Sequence, residues 1–293
     1  MPELPEVETV RQGLNEVTLR QEIRGGDVLL SRSIAHPLSA AAFLAGLQRT
    51  IITNWYRRGK YLLAELTKLN IPTPHSPHSQ AGWLGVHLRM SGQLLWVNQE
   101  EPLHKHTRVR LFLAGDRELR FVDQRTFGRM WWVPPLEKPE TIITGLKKLG
   151  PEPFDAEFSI EYLAKKLQKC QRSIKTILLD QSLVAGVGNI YADEALFVSG
   201  IQPATPGSAL NVEQIERLRT AIIQVLQVGI ETGGTTFSSF LNVQGVNGKY
   251  SGVAWVYGRT GKPCRVCGTS IKRLKLTGRS SHFCPNCQAE VSF

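Results

Sequence analysis

Four cysteines near the C-terminus constrain this chain more than any other feature. They form two close pairs, Cys264-x2-Cys267 and Cys284-x2-Cys287, separated by sixteen residues. Paired half-sites at this separation are typical of one tetrahedral zinc site, whereas disulfides would require an oxidising compartment. Four thiolates leave no open coordination position, so the predicted zinc ion is structural. We therefore predict that residues 258–293 form a hairpin clamped by one Zn²⁺ ion.

The chain is strongly basic. Its 293 residues contain 35 lysines and arginines against 25 acidic residues, which gives a net charge of +10. Such a surplus attracts polyanions, either nucleic acid or an anionic membrane surface. No apolar run reaches the roughly 18 residues of a membrane span, and Glu3 and Glu6 stand where a signal peptide would be basic. We therefore expect a cytoplasmic protein that binds nucleic acid. Residues 258–293 hold seven basic residues and one acidic residue, which indicates phosphate contacts unless this face is simply solvated.

The first half of the chain has the pattern of a β domain. Short apolar and aromatic runs separated by turn residues fill residues 28–133, which predicts a sandwich or a barrel. Residues 70–80 contain three prolines and little apolar content, so we predict an exposed insertion loop there. Ahead of the strands, residues 3–17 have the apolar spacing of one helix face, carried by Leu4, Val7, Val10, Leu14 and Val17.

The second half has helical periodicity. Prolines and glycines punctuate residues 134–155, which we interpret as a linker. Cys170 falls in a helical stretch and is predicted to be a small buried apolar residue. The predicted helices cover residues 158–170, 173–181, 189–199 and 211–231. The predicted divisions are residues 1–133, the linker 134–155, a helical domain over 156–257 and the zinc finger over 258–293.

Six further segments resemble one known family in the same order along the chain. These are PELPEVETV at 2–10, RRGKYLL at 57–63, HLRMSG at 87–92, DQRTFG at 123–128, LGPEP at 149–153 and GVGNIYADEAL at 186–196. Together with the cysteines, they resemble the formamidopyrimidine-DNA glycosylase family of base-excision repair enzymes. The resemblance implies an α+β, multidomain fold: an N-terminal β-sandwich with flanking helices, a helical domain with a helix–two-turn–helix (H2TH) motif, and a C-terminal four-cysteine zinc-finger hairpin. Residues 70–80 depart from the family pattern.

The resemblance also implies a set of catalytic residues. Removal of Met1 would expose the secondary amine of Pro2, which would attack the sugar C1′ and form an iminium directly. Glu3 would act as the proton shuttle, or complement a helix dipole, and Glu6 would support it. Lys60 would contact phosphate and assist β-elimination. Arg279 would grip the phosphates around the lesion and support δ-elimination.

DNA contacts follow from the same resemblance. Met90, Arg125 and Phe127 match a trio that fills the space left by an extruded nucleotide, although a methionine is ordinarily core filling. His87, Lys175 and Asn189 match phosphate contacts, and His106 and Arg125 match positions that touch DNA. The glycines before Asn189 place backbone N–H groups where a helix start can meet an anion.

These observations predict a DNA glycosylase with abasic-site lyase activity. It would remove formamidopyrimidines and 8-oxoguanine from duplex DNA through a Pro2 Schiff base, followed by β,δ-elimination. We expect a monomer with one zinc ion and no membrane partner, in the cytoplasm or on the nucleoid. Residues 235–255 are predicted to include a loop that closes over the extruded base. The alternatives are an endonuclease VIII-like enzyme for oxidised pyrimidines, a non-catalytic zinc-containing protein that binds damaged DNA, and, more distantly, a zinc-ribbon RNA-binding protein.

Overall fold

Strands dominate the first half of the computed structural model and helices the second. The structure describes residues 1–68, 80–235 and 242–289. Almost all of the predicted 70–80 insertion therefore lies outside the described residues, as do residues 236–241 of the predicted closing loop. The chain divides into two units. The sheet-rich unit comprises Met1–Pro2, the described part of Glu6–Lys147, and residues 242–248, whereas the helical unit comprises Glu3–Pro5 and residues 148–235 and 249–289.

Two antiparallel sheets form the sheet-rich unit, with one parallel pair. The strands are β1 (Glu22–Ile23), β2 (Gly25–Val28), β3 (Ile34–His36), β4 (Thr50–Arg58), β5 (Tyr61–Lys68), β6 (Gln80–His87), β7 (Gly92–Asn98), β8 (Thr107–Phe112), β9 (Arg117–Asp123) and β10 (Arg129–Val133). One sheet has the order β1-β4-β5-β6-β10-β3, in which β10 and β3 are parallel, and the other has the order β2-β8-β9-β7. Helices α1 (Leu4–Thr18), α2 (Ala40–Leu47) and α3 (Pro139–Ile142) accompany them.

Helix α1 packs on the sheet-rich core through the predicted apolar stripe. Val7, Val10 and Leu14 are buried, so this prediction is confirmed. At the far end of the helix, Asn15 Oδ1 accepts from Trp55 N at 2.8 Å, and Trp55 Nε1 donates to Thr18 Oγ1 at 2.8 Å. These bonds fix α1 against β4, because each satisfies a polar group that burial would otherwise leave without a partner.

The helical unit contains the predicted helices with shorter ends. They are α4 (Ile160–Leu167), α5 (Ile174–Leu178), α6 (Asn189–Val198) and α7 (Val212–Glu231), followed by the hairpin β11 (Lys272–Leu276) and β12 (Arg279–Phe283). Short 3-10 helices lie at Ser31–Ser33, Leu146–Lys148, Gly207–Ala209 and Tyr250–Gly252. The α+β, multidomain class, with N-terminal sheets, a helical part and a four-cysteine hairpin, is confirmed. The finer four-part division stays a prediction.

Two predictions about the start of the helical unit are wrong. The 158–170 helix ends at Leu167, because the chain turns there and Cys170 N donates to Leu167 O outside the helix. The second wrong prediction is the burial of Cys170, which is only partly buried and packs at the edge of the core. A hydrogen bond with Arg172 lowers the pKa of its thiol.

The described residues were also inspected for membrane spans. Among residues 1–68, 80–235 and 242–289, no helix has both the length and the apolar character needed to cross a bilayer.

Candidate active site

Glu3 lies at the N-terminus of α6. Its side chain is almost fully buried, and its two oxygens accept from Ile190 N at 2.9 Å and Tyr191 N at 3.3 Å. Residue 188 must be glycine, because a Cβ at this position would overlap the Glu3 carboxylate. In the structure the Glu3 carboxylate occupies this helix start, and the phosphate contact predicted here stays a prediction. The acid next to Pro2 is therefore held in a fixed orientation.

Lys175 is buried rather than presented to solvent. Its ammonium donates to the Asp193 carboxylate, to Ser280 O at 3.2 Å and to Asn189 O at 3.4 Å. Burial lowers the pKa of Lys175, while Asp193 opposes this effect. Protein acceptors surround the ammonium in this structure, and the phosphate contact by Lys175 stays a prediction.

Asn189 and Tyr257 form a polar pair in the same unit. The side chain of Asn189 bonds the Tyr257 hydroxyl, whose pKa is raised mainly by burial. Within the described residues, Asn189 Oδ1 is buried without a hydrogen-bond partner. Sequence reasoning missed Tyr257, although an aromatic residue directly before the basic tail was the available signal.

The four cysteine sulfurs converge at the base of the β11–β12 hairpin. All lie within 4.8 Å of one another. Cys264 Sγ is 3.9 Å from Cys287 Sγ, and Cys267 Sγ is 3.4 Å from Cys284 Sγ. A tetrahedral ion with Zn–S bonds of about 2.3 Å requires sulfur separations of about 3.8 Å. The donor set therefore fits one closed, structural zinc ion.

Arg279 directly follows the tip of this hairpin. Thr277 and Gly278 both have positive φ, 44° and 79°, as a tight two-residue hairpin turn requires. Arg279 is exposed, and so are three other cations of the hairpin: Lys272, Arg273 and Lys275. The hairpin thus presents a cluster of positive charge to solvent.

Lys60 directly precedes β5, and His87 ends β6, the strand that pairs with β5 in the sheet-rich unit. Lys60 occupies the β4–β5 turn and is 7% exposed. His87 Nδ1 accepts from Arg89 N at 3.0 Å, which leaves Nε2 as its N–H donor. Burial, together with the charges of Arg89 and Lys60, lowers the pKa of His87 to about 3. His87 is therefore a neutral donor at physiological pH.

The predicted wedge residues stand on two loops that share one anchor. Ser91 Oγ donates to Asp123 Oδ1 at 2.5 Å and accepts from Arg125 N at 2.9 Å. Asp123 Oδ2 also accepts from Gly128 N at 2.7 Å. These bonds tie the turn that carries Met90 to the loop that carries Arg125 and Phe127. The side chain of Met90 is 36% exposed, and that of Phe127 is 48% exposed.

Two further predicted site residues, His106 and Pro2, lie in the sheet-rich unit. Partial burial lowers the pKa of His106, and the cation of Arg108, whose Nη2 lies 3.1 Å from His106 Nδ1, lowers it further. Pro2 is buried at the start of the chain. A basic hairpin with a four-sulfur zinc site is typical of a protein that binds nucleic acid, and a buried carboxylate fixed next to a candidate nucleophile is typical of an enzyme. The class defined by these features is a zinc-containing DNA-binding protein with catalytic potential.

Comparisons with known proteins agree with this class. Three family models match the chain: the formamidopyrimidine-DNA glycosylase N-terminal domain over residues 1–130, its H2TH domain over 149–240, and a zinc finger found in FPG and IleRS over 261–289. The formamidopyrimidine-DNA glycosylase of Nostoc punctiforme is 66% identical over 98% of this chain and 96% of its own length.

Solved structures are also similar over nearly the full length. The Lactococcus lactis Fpg with abasic-site DNA is 34% identical, has a TM-score of 0.87, and covers 98% of this chain and 100% of its own. The same enzyme with DNA containing an oxidised pyrimidine is 34% identical, has a TM-score of 0.86, and covers 99% and 100%. With N7-benzyl-Fapy-dG DNA it is again 34% identical, with a TM-score of 0.87 and 99% and 100% coverage.

The chain belongs to the formamidopyrimidine-DNA glycosylase family, and it is a DNA glycosylase of base-excision repair. The predicted H2TH motif and the single structural zinc ion are confirmed by the family models.

Proposed function

We propose that this glycosylase excises oxidised purines, formamidopyrimidines and 8-oxoguanine, from duplex DNA and then cleaves the strand by β,δ-elimination. The observation that carries this proposal is the placement of Glu3, whose carboxylate is fixed at the start of α6 by two backbone N–H groups and adjoins Pro2 in the chain. Nucleophile and acid–base group are then consecutive residues. The Lactococcus lactis Fpg, bound to a formamidopyrimidine nucleotide in one of its structures, supports the purine substrate class.

Pro2 is the nucleophile in this scheme. Once Met1 is removed, its nitrogen lone pair bonds to C1′, and the C1′–base bond breaks with its electrons leaving on the base. Glu3 takes up the amine proton and delivers it to O4′ as the C1′–O4′ bond opens, which gives the iminium. Because proline is a secondary amine, its iminium has no N–H proton to lose and stays cationic, which makes proline suited to the role.

Strand cleavage follows from the iminium as an electron sink. Loss of a C2′ proton expels the 3′ phosphate from C3′, and loss of the C4′ proton then expels the 5′ phosphate from C5′. Lys60 supports the first elimination, and the exposed Arg279 binds phosphate and supports the second. The products are a one-nucleotide gap with phosphate at both ends, and Pro2 is freed by hydrolysis.

DNA is held by charged and neutral donors. His87 offers a neutral Nε2–H, the Asn189 and Tyr257 pair offers amide and hydroxyl groups, and His106 adds a further contact. Met90, Arg125 and Phe127 fill the vacated position, which offsets an unstacking cost of about a few kcal/mol per step. We also propose that the protein acts as a monomer in the cytoplasm, on the nucleoid if the source is bacterial.

Borohydride trapping tests the mechanism and the substrate class together. The zinc-loaded protein is incubated with duplexes that contain 8-oxoguanine·C, a formamidopyrimidine, an oxidised pyrimidine or an abasic site, and the adduct is mapped by peptide mass spectrometry. We expect an adduct on Pro2 that forms fastest with the purine lesions. A Lys60→Met variant, in which the other candidate amine is absent, should still be trapped at an abasic site.

The other outcomes decide against parts of the proposal. Faster trapping with the pyrimidine lesion would retain the Pro2 mechanism and favour an endonuclease VIII-like specificity, which has some support because the Lactococcus lactis Fpg is also solved with an oxidised pyrimidine. DNA binding without any adduct at the abasic site would exclude the lyase mechanism.

A further inference from the structure

Helix α6 carries two consecutive acidic residues, Asp193 and Glu194, that the reaction scheme does not use. Both are fully buried. We propose that Asp193 is a positioning residue that orients Arg279 for the second elimination. This inference rests on the role given to Arg279 under the proposed function.

The carboxylate of Asp193 is saturated with donors from the zinc hairpin and from Lys175. Ser281 Oγ donates to Oδ1 at 2.9 Å, and His282 N donates to Oδ2 at 2.9 Å. His282 Nδ1 lies 3.0 Å from Oδ2, and the Lys175 ammonium donates to Oδ1. A carboxylate has about four acceptor positions, so each has an occupant.

Lys175 extends the same cluster to the residue next to Arg279. Its ammonium bonds Ser280 O as well as Asp193. Residues 280–282 are therefore each held, Ser280 through its carbonyl, Ser281 through its hydroxyl and His282 through its backbone N–H. These three residues directly follow Arg279 on β12.

This bonding matters because the hairpin near Arg279 is otherwise exposed. Lys272, Arg273 and Lys275 on the opposite strand face solvent. Beyond the Asp193 cluster, the tip contacts α5 through the exposed pair Thr176 Oγ1 and Thr277 Oγ1 at 3.2 Å. A buried, charge-assisted cluster restrains a backbone far more than one exposed hydroxyl contact does. The direction of Arg279 is thus set from α6, the same helix whose N-terminus holds Glu3.

Glu194 shows that the assignment is specific to Asp193. Its carboxylate accepts from Trp255 N at 2.7 Å, Val256 N at 2.9 Å and Tyr257 N at 2.8 Å. These donors lie between α7 and the zinc site, and none of the three belongs to β11 or β12. The two neighbouring acids therefore hold different segments of the helical unit.

The test measures the two eliminations separately in the full-length, zinc-loaded protein. Single-turnover cleavage of abasic-site DNA is resolved on a gel into the β-product, which ends in an unsaturated aldehyde, and the δ-product, which ends in phosphate. For Asp193→Asn we expect borohydride trapping and β-elimination near wild-type levels. The ratio of δ- to β-product should fall on the order of tenfold to a hundredfold, as expected when a reacting group is misplaced by about 1 Å.

Four further variants sharpen the result. Arg279→Ala should lower the ratio at least as much, and the double variant Asp193→Asn/Arg279→Ala should be no worse than Arg279→Ala alone, because both changes remove the same function. Ser281→Ala removes one donor and should give a smaller drop. Thr176→Ala, which also loses a hairpin contact but leaves the Asp193 cluster intact, should retain the wild-type ratio.

Opposite results would overturn the inference in distinguishable ways. A normal ratio in Asp193→Asn beside a lowered ratio in Arg279→Ala would show that Asp193 does not position Arg279. A normal ratio in Arg279→Ala would remove the role given to Arg279 under the proposed function. Loss of zinc and an equal decline of trapping and both eliminations would show that Asp193 only supports the fold. If Asp193→Asn does not fold, an unchanged ratio in Ser281→Ala overturns the inference.

Discussion

His87 shows how a single buried side chain sets both binding chemistry and stability. Its Nδ1 accepts from the Arg89 backbone, and burial with two nearby cations lowers its pKa to about 3. A neutral imidazole can donate one hydrogen bond to a phosphate, but it adds no charge to the interaction. The same low pKa links folding of the sheet-rich unit to pH.

We expect this unit to lose stability on acidification because His87 takes up a proton only when it unfolds. The pKa rises from about 3 in the folded state to an ordinary 6.5 in the unfolded chain. The contribution of neutral His87 to the free energy of unfolding is therefore complete above pH 6.5 and is lost as the pH falls towards 3. Between pH 7 and pH 5 it amounts to about 2 kcal/mol.

Urea unfolding followed by tryptophan fluorescence measures this effect, because five of the six tryptophans lie in the sheet-rich unit. His87→Gln should lose about 2 kcal/mol less than the wild type between the two pH values. His104→Gln, a change at an exposed histidine, should behave like the wild type. Equal losses in all three proteins would contradict a buried neutral His87.

The sequence indicated candidate site residues, but it did not indicate the residues that contact them. Lys175 was predicted as a phosphate contact, whereas its ammonium lies against Asp193 and Ser280, which are 18 and 105 residues away along the chain. Likewise, Glu3 reaches Ile190 across 187 residues. A pattern of residue types defines local conformation, but it holds no information about partners this distant.

Among the elements, the two loops that carry the predicted wedge residues are held together by the hydroxyl of Ser91. Ser91 bridges Asp123 and the backbone of Arg125, so the turn with Met90 and the loop with Phe127 keep a fixed relation within the sheet-rich unit. The sequence indicated the wedge residues through a family resemblance, but it did not indicate Ser91, because a serine beside a glycine is ordinary turn chemistry.

We expect Ser91→Ala to impair base excision more than abasic-site cleavage. The change leaves Asp123 Oδ1 and Arg125 N short of a partner, which costs about 1–3 kcal/mol and loosens both loops. Excision requires a stacked nucleotide to be replaced by the wedge, whereas an abasic site has no base to extrude. Single-turnover excision of 8-oxoguanine should fall on the order of tenfold.

Ser182→Ala is the matched control, since Ser182 Oγ makes the same kind of bond to Asp180 at 2.6 Å in the helical unit. Its excision rate should stay near the wild type. If Ser91→Ala slows abasic-site cleavage as much as excision, the bridge serves general folding and not the wedge.

Element boundaries were predictable where local chemistry sets them. The predicted stripe on α1 matches the structure, because helix periodicity is a local property. Strand order was not predictable. β2 pairs with β8, and β3 pairs with β10, since alternation along a strand defines its buried face but not its neighbour.

At the scale of the whole molecule, the net charge of +10 attracts the protein to DNA. The net charge does not give the number of phosphates that the protein contacts. Lys175 is paired internally with Asp193, and His87 is neutral, so we expect neither to release a counterion on binding. We expect an exposed cation such as Arg279 to release one. The salt dependence of affinity can therefore separate charged contacts from neutral donors. In a plot of the logarithm of the binding constant against the logarithm of the salt concentration, each neutralised phosphate adds about 0.9 to the magnitude of the negative slope.

We expect Arg279→Ala and His87→Gln to differ in this respect. Both should weaken binding to a duplex with a tetrahydrofuran abasic analogue, which cannot form an iminium. Affinity measured by fluorescence anisotropy at several salt concentrations should show a slope reduced by about 0.9 for Arg279→Ala and an unchanged slope for His87→Gln. Arg172→Gln lowers the net charge equally at an exposed arginine paired with Asp180, and it should leave the slope unchanged. If Arg172→Gln lowers the slope as much as Arg279→Ala does, net charge and not a specific phosphate contact governs binding.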